Sequence, residues 1–270
     1  MCPLISAILL VLLSFACQVN HFTGKKNFNA IPNSQLFPMA FAQYDAFLKE
    51  HKVITGTSDA RQITRVGEQI SRAAQRYFEF KGLPNALKDY RWEYHLVHNA
   101  QKNAWCMPGG KIVFYTGILD IANTEAMVAA IMGHEVAHAL ANHGGQRMSA
   151  QLLQKGIGML GQQVLKKEPQ SKQQQILKAY GVATTVGVIL PFSRAHESEA
   201  DKIGLTLMVL AGYPPEAAVR LWERMKAASA GKAPPELLST HPSNATRIQN
   251  LKRWIPQIKL EVEKIKVASR

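Results

Sequence analysis

The sequence has 270 residues, of which 47% are hydrophobic, and it carries a formal net charge of +13 at pH 7. This apolar content is enough for a substantial core, so an intrinsically disordered chain is excluded. Its three cysteines, Cys2, Cys17 and Cys106, exclude a disulfide framework as the source of stability. The basic residues are scattered in short pairs without interleaved aromatic side chains, which predicts a solvated basic surface and no nucleic-acid partner.

The N-terminal segment has the pattern of an export signal. Residues 1–16 contain no charged side chain and include an apolar run over residues 4–13, which is typical of a signal peptide and short for a membrane span. Cys17 follows a small residue, as at the cleavage site of bacterial lipoproteins. We therefore expect a signal peptide at 1–16, and a lipidated Cys17 with a polar tether over residues 17–33. No Lys or Arg precedes the apolar run, which leaves an uncleaved anchor open, and Cys17 could instead be a small buried hydrophobic residue.

The remaining chain predicts a helix-rich protein with one small sheet. Apolar residues recur at helical spacing over about residues 34–51 and 59–81, with Asp59 as a candidate N-cap. Alternating and apolar runs predict strands over residues 90–98 and 110–117. Further helices are predicted over about residues 124–143, 149–167, 171–189, 193–211, 215–229 and 243–254. This order of elements predicts an α+β fold. The helix at 149–167 is predicted to be exposed, glutamine-rich and amphipathic.

Two helix ends and one loop are predicted from helix-breaking residues. Gly144 and Gly145 would end the helix that begins near residue 124, and Pro256 would stop the last helix. The stretch KEPQSKQQQ at residues 167–175 predicts a loop or flexible excursion.

The segment IMGHEVAHAL, residues 131–140, places three ionisable groups in a helix that is otherwise apolar or small. A helix that is apolar on all sides is buried, and an unpaired buried carboxylate is costly. His134 and His138 lie four residues apart, so their imidazoles project from nearly one face and can bind one Zn²⁺. Glu135 points about 100° away around the helix, where it can act as the general base.

A catalytic zinc takes a third protein ligand, and the segment SRAHESEADKIGLTLMVLAG at residues 193–212 offers one. Glu197 and Asp201 share one face of this predicted helix. We expect Glu197 to bind the metal and Asp201 to orient a ligating imidazole from behind. His196 is an alternative ligand, and Glu199 fits an ordinary solvated helix N-terminus.

Small residues predict how these two helices pack. Gly133, Ala137 and Ala141 form a ridge on the first helix, and Ala200 and Gly204 form a ridge on the second. Such ridges let two backbones approach closely. The contact would bring Glu197 toward the two histidines.

Four stretches in chain order resemble one known family: NAWCMPGGKIVFYTGIL, GHEVAHALANH, PFSRAHESEADKIGL and LSTHPSNATRI. Together they resemble the HtpX/CAAX prenyl protease family of zinc metallopeptidases, especially its Oma-type and BepA/LoiP-like periplasmic branch. The resemblance covers about residues 23–254. It implies a predominantly helical, zincin-like (gluzincin) α+β fold over residues 34–270, with a small sheet packed on the HExxH helix. It also implies one zinc ion held by His134, His138 and Glu197.

The resemblance also gives roles to residues outside the two helices. His241 would lie near the metal, where it could steady an oxyanion or occlude the zinc in a resting state, and Arg247 would be an active-site arginine. From the sequence alone, His241 could cap a helix and Arg247 could be a solvated cation. The strand after PGG, or the edge leading to it at Asn103 and Ala104, resembles the edge that binds an extended substrate by β-augmentation. Cys106 is expected to be packed near this edge.

The expected activity is zinc-dependent hydrolysis of peptide bonds in unfolded or misassembled envelope proteins, a role in protein quality control. The alternative is a lipid-anchored chaperone or assembly factor with a latent or self-inhibited protease site. The expected partners are polypeptide substrates and, through the lipid on Cys17, a membrane. This anchor predicts a periplasm-facing lipoprotein of the bacterial outer membrane.

Overall fold

The computed structural model describes residues 17–184, 190–228, 237, 241 and 245–268. Its strands are Cys17–Val19 (β1), Lys26–Phe28 (β2), Val53–Ile54 (β3), Glu93–Val97 (β4), Ala104–Met107 (β5) and Lys111–Tyr115 (β6). Its α-helices are Asn33–Glu50 (α1), Ser58–Phe80 (α2), Glu125–Leu140 (α3), His143–Val164 (α4), Gln170–Thr184 (α5), Leu190–Leu210 (α6), Glu216–Ala228 (α7) and Ala245–Ala268 (α8). The predominance of helix beside small sheets confirms the predicted α+β class.

The chain forms two compact units, and each is built from separate stretches of sequence. The first unit contains the residues up to Leu36 together with Ala141–His196. The second contains Phe37–Leu140 and the residues from Glu197 onward. The second unit therefore carries α3 and the part of α6 that begins with Glu197. Among the helices of the described ranges, none combines the length and the apolar composition needed to cross a lipid bilayer.

A four-stranded mixed sheet belongs to the second unit, in the order β3–β4–β6–β5. The central strands β4 and β6 are parallel, with Leu96 opposite Phe114, while β3 and β5 pair antiparallel at the two edges. Every residue of β6 is buried, as expected for a strand covered on both faces. Helix α2 contacts α3 and β4, and α3 contacts β5. Helix α3, which carries the HExxH motif at residues 134–138, therefore lies beside an edge strand.

Helix α2 follows its predicted periodicity closely but begins with a different cap. The side chain of Thr57 accepts a hydrogen bond from the backbone N–H of Ala60 at 3.1 Å, so Thr57 and not Asp59 is the N-cap. Asp59 lies in the first turn, where its charge favours the positive end of the helix dipole. The buried residues of α2 recur at the predicted spacing: Ile63, Val66, Gly67, Ile70, Ala73, Ala74, Tyr77 and Phe78.

The predicted end of the HExxH helix at two glycines is wrong. Asn142 adopts a left-handed conformation with φ of 54°, and its side chain accepts a hydrogen bond from the N–H of Gly145 at 3.3 Å. Asparagine tolerates this conformation because its short polar side chain bonds to the local backbone. Asn142 is therefore the N-cap of α4, and Gly144 and Gly145 lie inside its first turn.

The predicted stop at Pro256 is also wrong, because Pro256 lies inside α8. A proline inside a helix removes one backbone hydrogen bond and costs about 3 kcal/mol. In α8 the buried apolar residues continue at helical spacing on both sides of the proline, and their burial offsets this cost. These residues are Leu251, Ile255, Ile258, Val262 and Ile265.

The first unit pairs a helical hairpin of α4 and α5 with a two-stranded antiparallel sheet of β1 and β2. Helix α5 begins at Gln170, so the loop predicted over residues 167–175 is shorter than expected. The N–H of Ala30 donates to the Oγ of Ser149 at 2.9 Å, which joins the segment after β2 to α4. The tether predicted over residues 17–33 thus contains a small sheet, and the division of the chain at residues 16 and 33 stays a prediction.

Helices α3 and α6 cross at Gly133 and Gly204, as their small residues predict. A Cβ atom added to Gly133 would lie 2.9 Å from the carbonyl oxygen of Gly204, and one added to Gly204 would lie 2.9 Å from the backbone nitrogen of His134. Backbone atoms cannot yield as a flexible side chain would. A methyl group at either position would force the helices apart.

We expect Gly204→Ala to lower the free energy of unfolding by about 1–3 kcal/mol, the usual cost of overpacking a filled contact. Gly156→Ala in α4 is the matched control, because a Cβ there meets no atom within 4 Å. That control should raise the free energy of unfolding by about 0.5–1 kcal/mol through helix propensity. Urea unfolding followed by circular dichroism measures both, and equal effects of the two substitutions would contradict the close crossing.

Candidate metal centre

Four buried side chains of the second unit converge on one point. His134, His138, Glu197 and His241 each place a possible ligand atom within 4.8 Å of the others. The Nε2 atom of His134 lies 3.1 Å from Nε2 of His138 and 3.2 Å from Nδ1 of His241. The Glu197 carboxylate oxygens lie 3.3 Å from Nε2 of His134, 3.4 Å from Nε2 of His138 and 3.0 Å from Nδ1 of His241. The helices α3 and α6 thus bring together the ligands predicted from their sequences.

This set of donors fits a zinc ion. Four tetrahedral ligands at about 2.0–2.1 Å from zinc lie about 3.3–3.4 Å from one another. In five of the six residue pairs of the cluster, the donor atoms lie 3.0–3.4 Å apart. Several imidazole nitrogens face each other, where two lone pairs or two protons repel, whereas a cation attracts every lone pair. Imidazole and carboxylate are also donor types that zinc binds in proteins.

Glu135 lies beside the cluster without contributing a ligand atom to it. Its side chain is 3% exposed, and its Oε1 atom has no hydrogen-bond partner among the described residues. The Nε2 atom of His241 lies 3.5 Å from this oxygen. Burial raises the pKa of the Glu135 carboxyl, although the charges of His241 and His134 lower it in part. An unpaired buried carboxylate oxygen in a protein calls for an explanation, and a proton-transfer role supplies one.

Asp201 and Arg247 both contact the ring of His134. The Oδ1 atom of Asp201 lies 3.1 Å from Nδ1 of His134, which favours a proton on Nδ1 and leaves the Nε2 lone pair for a metal. Arg247 donates two hydrogen bonds to Asp201, at 2.5 Å and 2.7 Å. Its Nη1 atom lies 3.2 Å from Oε2 of Glu197. Arg247 is therefore buried between two carboxylates.

Burial and neighbouring charges shift the pKa values of the cluster in opposite directions. Burial and the charge of Arg247 lower the pKa of His134, but hydrogen bonds to Asp201 and Glu197 outweigh them and raise it to about 9. Burial raises the pKa of Glu197, but hydrogen bonds to His134 and His241 lower it well below its ordinary value. For Asp201, burial is likewise outweighed by Arg247 and His134, and its pKa is lowered. Two buried carboxylates thus stay ionised beside His134, and a bound cation would replace the proton that this histidine takes up.

Residues 60–255 match the description Peptidase family M48. The chain belongs to peptidase family M48. Membership of this family supports a zinc metalloendopeptidase, and the buried His/Glu group of the second unit could hold the ion. The predicted family and zincin-like fold are therefore confirmed, and the family supports the predicted enzyme class and zinc cofactor.

Several relatives of this M48 chain have names that describe proteases. The mitochondrial metalloendopeptidase OMA1 of Schizosaccharomyces pombe is 35% identical over 196 residues, covering 72% of this chain and 54% of that protein. The OMA1 metalloendopeptidase of Homo sapiens is 26% identical over 255 residues, covering 89% and 46%. The β-barrel assembly-enhancing protease of Escherichia coli K12 is 26% identical over 172 residues, covering 62% and 35%. The chain spans about half the length of the OMA1 proteins and a third of the bacterial protease.

The predicted localisation in the bacterial outer membrane is wrong. The names of the OMA1 relatives from two yeasts, a plant and three vertebrates place those proteins in mitochondria. A short apolar run before a cysteine does not specify one membrane, because targeting segments of several kinds contain such a run. Residues 1–16 and the side chain of Cys17 lie outside the described residues. The signal peptide and the lipidation of Cys17 stay predictions.

Trp222 of α7 lies beside the metal-ligand cluster, although no sequence pattern predicts this position. The guanidinium carbon of Arg247 lies 3.6 Å from the centre of the Trp222 ring, and the rings of Trp222 and His134 are 6.0 Å apart. Trp222 is 3% exposed, so this cation–π contact is shielded from water and favourable. In the sequence, Trp222 is one of several apolar residues on the buried face of α7. Its role depends on a contact between helices and has no local signal.

The strand edge expected to bind substrate is present in the M48 fold. Among the described residues, β5 pairs with β6 alone, so its second edge carries no strand. The N–H of Tyr115 donates to the carbonyl of Asn103 at 3.1 Å, and the Asn103 side chain accepts the N–H of Ala104 at 2.9 Å. Cys106 is half-buried in this strand, and burial raises the pKa of its thiol. Substrate binding at Asn103 and Ala104 stays a prediction.

The alternative ligand His196 takes part in a different set of contacts. In the first unit its ring stacks on that of His143, with 3.9 Å between the ring centres. Its Nε2 atom lies 3.0 Å from the side-chain oxygen of Gln146. The cluster of possible metal ligands contains Glu197 and does not contain His196. The geometry favours the first choice made from the sequence.

Proposed function

We propose that this M48 chain hydrolyses peptide bonds of unfolded or misassembled proteins and so acts in protein quality control. The observation that carries the proposal is the buried Glu135 carboxylate, whose Oε1 atom has no hydrogen-bond partner among the described residues, beside the group of His134, His138 and Glu197. The relatives support the same class of role, since one of them is named for the assembly of β-barrel proteins.

We assign His134, His138 and Glu197 as the residues that hold one zinc ion. Zinc, when bound there, supplies a Lewis acid that polarises the peptide carbonyl and lowers the pKa of a nearby water. Asp201 fixes the tautomer of His134 through its contact with Nδ1, and Arg247 keeps Asp201 in place. We propose that these two residues position the site.

Glu135 is the proposed general base. Its Oε1 atom is buried and free of hydrogen bonds from the described residues, so it can take a proton from the attacking water. The same carboxyl can then deliver that proton to the leaving amine. Burial raises the pKa of Glu135 toward the range in which it can accept and release a proton near neutral pH.

The edge of β5 suits a substrate that is already extended. An unpaired strand edge binds peptide backbone through main-chain hydrogen bonds and is tolerant of side-chain identity. Because α3 contacts β5, a peptide paired with this edge near Asn103 and Ala104 would run along the HExxH helix. Unfolded chains supply such segments and compact proteins do not, which supports the proposed substrate class.

Reduced casein tests the proposal directly. The zinc-loaded protein should cleave casein, a zinc chelator should stop cleavage, and added zinc should restore it. A compact, disulfide-bonded protein serves as the control substrate and should resist. If the protein contains zinc and binds casein but does not cut it, the result contradicts the proposal. It would support a chaperone or assembly factor with a self-inhibited protease site.

The second candidate function is a chaperone or assembly factor with a self-inhibited protease site, and the position of His241 favours it. Nδ1 of His241 lies 3.0 Å from the Glu197 carboxylate and 3.2 Å from Nε2 of His134. His241 is therefore a fourth protein donor, whereas catalytic zinc sites keep one position for water. In this arrangement the His241 ring must leave before a substrate can be hydrolysed.

We expect His241→Ala to increase casein cleavage on the order of tenfold, since relief of a closed state raises activity by the inverse of the open fraction. The zinc content should not change, because His134, His138 and Glu197 remain. Initial rates of casein cleavage, with zinc measured in the same samples, check this result. A rate that falls to background with zinc retained would instead assign His241 to oxyanion stabilisation.

A further inference from the structure

The first unit exposes an apolar surface that the proposed peptidase function does not use. Six large apolar side chains of α4 are 47–81% exposed: Leu152, Leu153, Ile157, Met159, Leu160 and Val164. At about 100° per residue, all six fall within an arc of about 160° around the helix. They form one continuous surface, the α4 apolar face.

Helix α4 packs against α5 with its opposite side. Gln154 donates to the Oγ1 of Thr184 at 2.7 Å, and a Cβ added to Gly161 would lie 3.8 Å from Cδ2 of Leu177. Both Gln154 and Gly161 lie outside the apolar arc. A surface helix normally turns its apolar side inward. Here small and polar residues face inward and leucines face outward, which marks an interaction surface.

The hairpin that carries this face is strongly basic. Residues 143–184 contain six Lys or Arg residues and one Glu, so this segment contributes +5 to the net charge of +13. Helix α4 contains no acidic residue. Lys155 is exposed and lies about 40° beyond Met159, at the border of the α4 apolar face. This surface is therefore apolar, with a lysine at its border and a basic hairpin around it.

We propose that the α4 apolar face inserts into the surface of an anionic lipid membrane, with the helix lying parallel to that surface. An exposed apolar arc bordered by a lysine, in a segment with a net positive charge, is the pattern of helices that bind at the headgroup boundary. The leucines enter the acyl region while the lysines contact lipid phosphates. A client polypeptide or a second copy of the chain would satisfy the leucines but would not account for the absence of acidic residues. This inference is independent of the proposed peptidase function.

Sedimentation with lipid vesicles tests the proposal on the full chain. Binding is expected to vesicles that contain phosphatidylglycerol and not to pure phosphatidylcholine, and added salt should weaken it. Leu160→Gln should lower the vesicle partition coefficient about tenfold. Leu260→Gln in α8 is the matched control, since Leu260 is 69% exposed and Leu160 is 67% exposed. That control should bind as the wild type does.

A second pair of variants tests the charge. Lys155→Gln should weaken binding to anionic vesicles, whereas Lys264→Gln, at an exposed lysine of α8, should not. Equal binding to neutral and anionic vesicles, or equal losses in Leu160→Gln and Leu260→Gln, would overturn the proposal. Absence of binding to anionic vesicles would also overturn it, and loss of casein binding or of self-association in Leu160→Gln would then assign the α4 apolar face to a polypeptide or to a second copy of the chain. Casein cleavage by Leu160→Gln should equal that of the wild type, which shows that the catalytic unit is intact.

Discussion

Glu135→Gln should abolish casein cleavage while zinc stays bound. Glutamine has the shape of glutamate but cannot take a proton from water, so the general-base contribution of about 10²–10⁴ in rate is lost. The three proposed ligands are untouched, and Glu135 supplies no ligand atom to the cluster. Cleavage rates and zinc content, measured on the same preparations, check both halves of this result.

Glu125→Gln on the same helix is the control for this substitution. Glu125 lies in the first turn of α3 and pairs with Arg65 on the surface, away from the cluster. That variant should cleave casein at the wild-type rate. Undiminished turnover by Glu135→Gln would remove Glu135 from the mechanism and leave the unpaired Oε1 atom unexplained.

Glu197→Ala should lose zinc. Residues that merely orient a zinc ligand change metal affinity about 10–100-fold, so removal of a ligand should cost at least about 100-fold. Elemental analysis after dialysis against a weak chelator should find zinc in the wild type and little in the variant. Because Arg247 keeps its two hydrogen bonds to Asp201, it is not left as an unpaired buried charge.

Glu199→Ala is the matched control, two residues along the same helix and outside the group of possible ligands. It should retain zinc and casein cleavage. Stoichiometric zinc in Glu197→Ala would contradict the proposed ligand set and would point to His241 as the third ligand in its place.

The site residues of α3 and α6 could be predicted because the geometry of a helix determines which side chains share a face. The period of α3 puts His134 and His138 on one face and Glu135 to the side, and small residues predict the crossing that brings Glu197 near. His241 lies outside any predicted helix, and only its resemblance to a family motif indicated it. Trp222 has no local signal, because its contact with Arg247 exists only once α7 and α8 are packed.

The fold could be predicted where one face of a helix or strand is buried. Prediction failed where contacts between distant parts of the chain determine where a helix begins or ends. The periodicity of α2 gave its extent almost to the residue. Asn142 caps α4 through its own side chain. The sequence does not indicate this cap, because the neighbouring Gly144 and Gly145 predict the end of the preceding helix. Pro256 is tolerated because the buried stripe of α8 continues past it. The outward-facing leucines of α4 could not be predicted either, since an apolar stripe ordinarily indicates the buried side of a helix.

The proposed ligands come from separate stretches of chain, and this has a consequence for how much protein a cell contains. His138 and Glu197, two of the proposed ligands, are 59 positions apart in the sequence. An unfolded chain would have to close this loop to assemble the site, which opposes binding in that state. Zinc at the proposed site would therefore bind the folded chain selectively and shift the equilibrium toward it. In a zinc-poor cell we expect a larger unfolded fraction, which other proteases clear, so metal supply would influence the abundance of this protein as well as its activity.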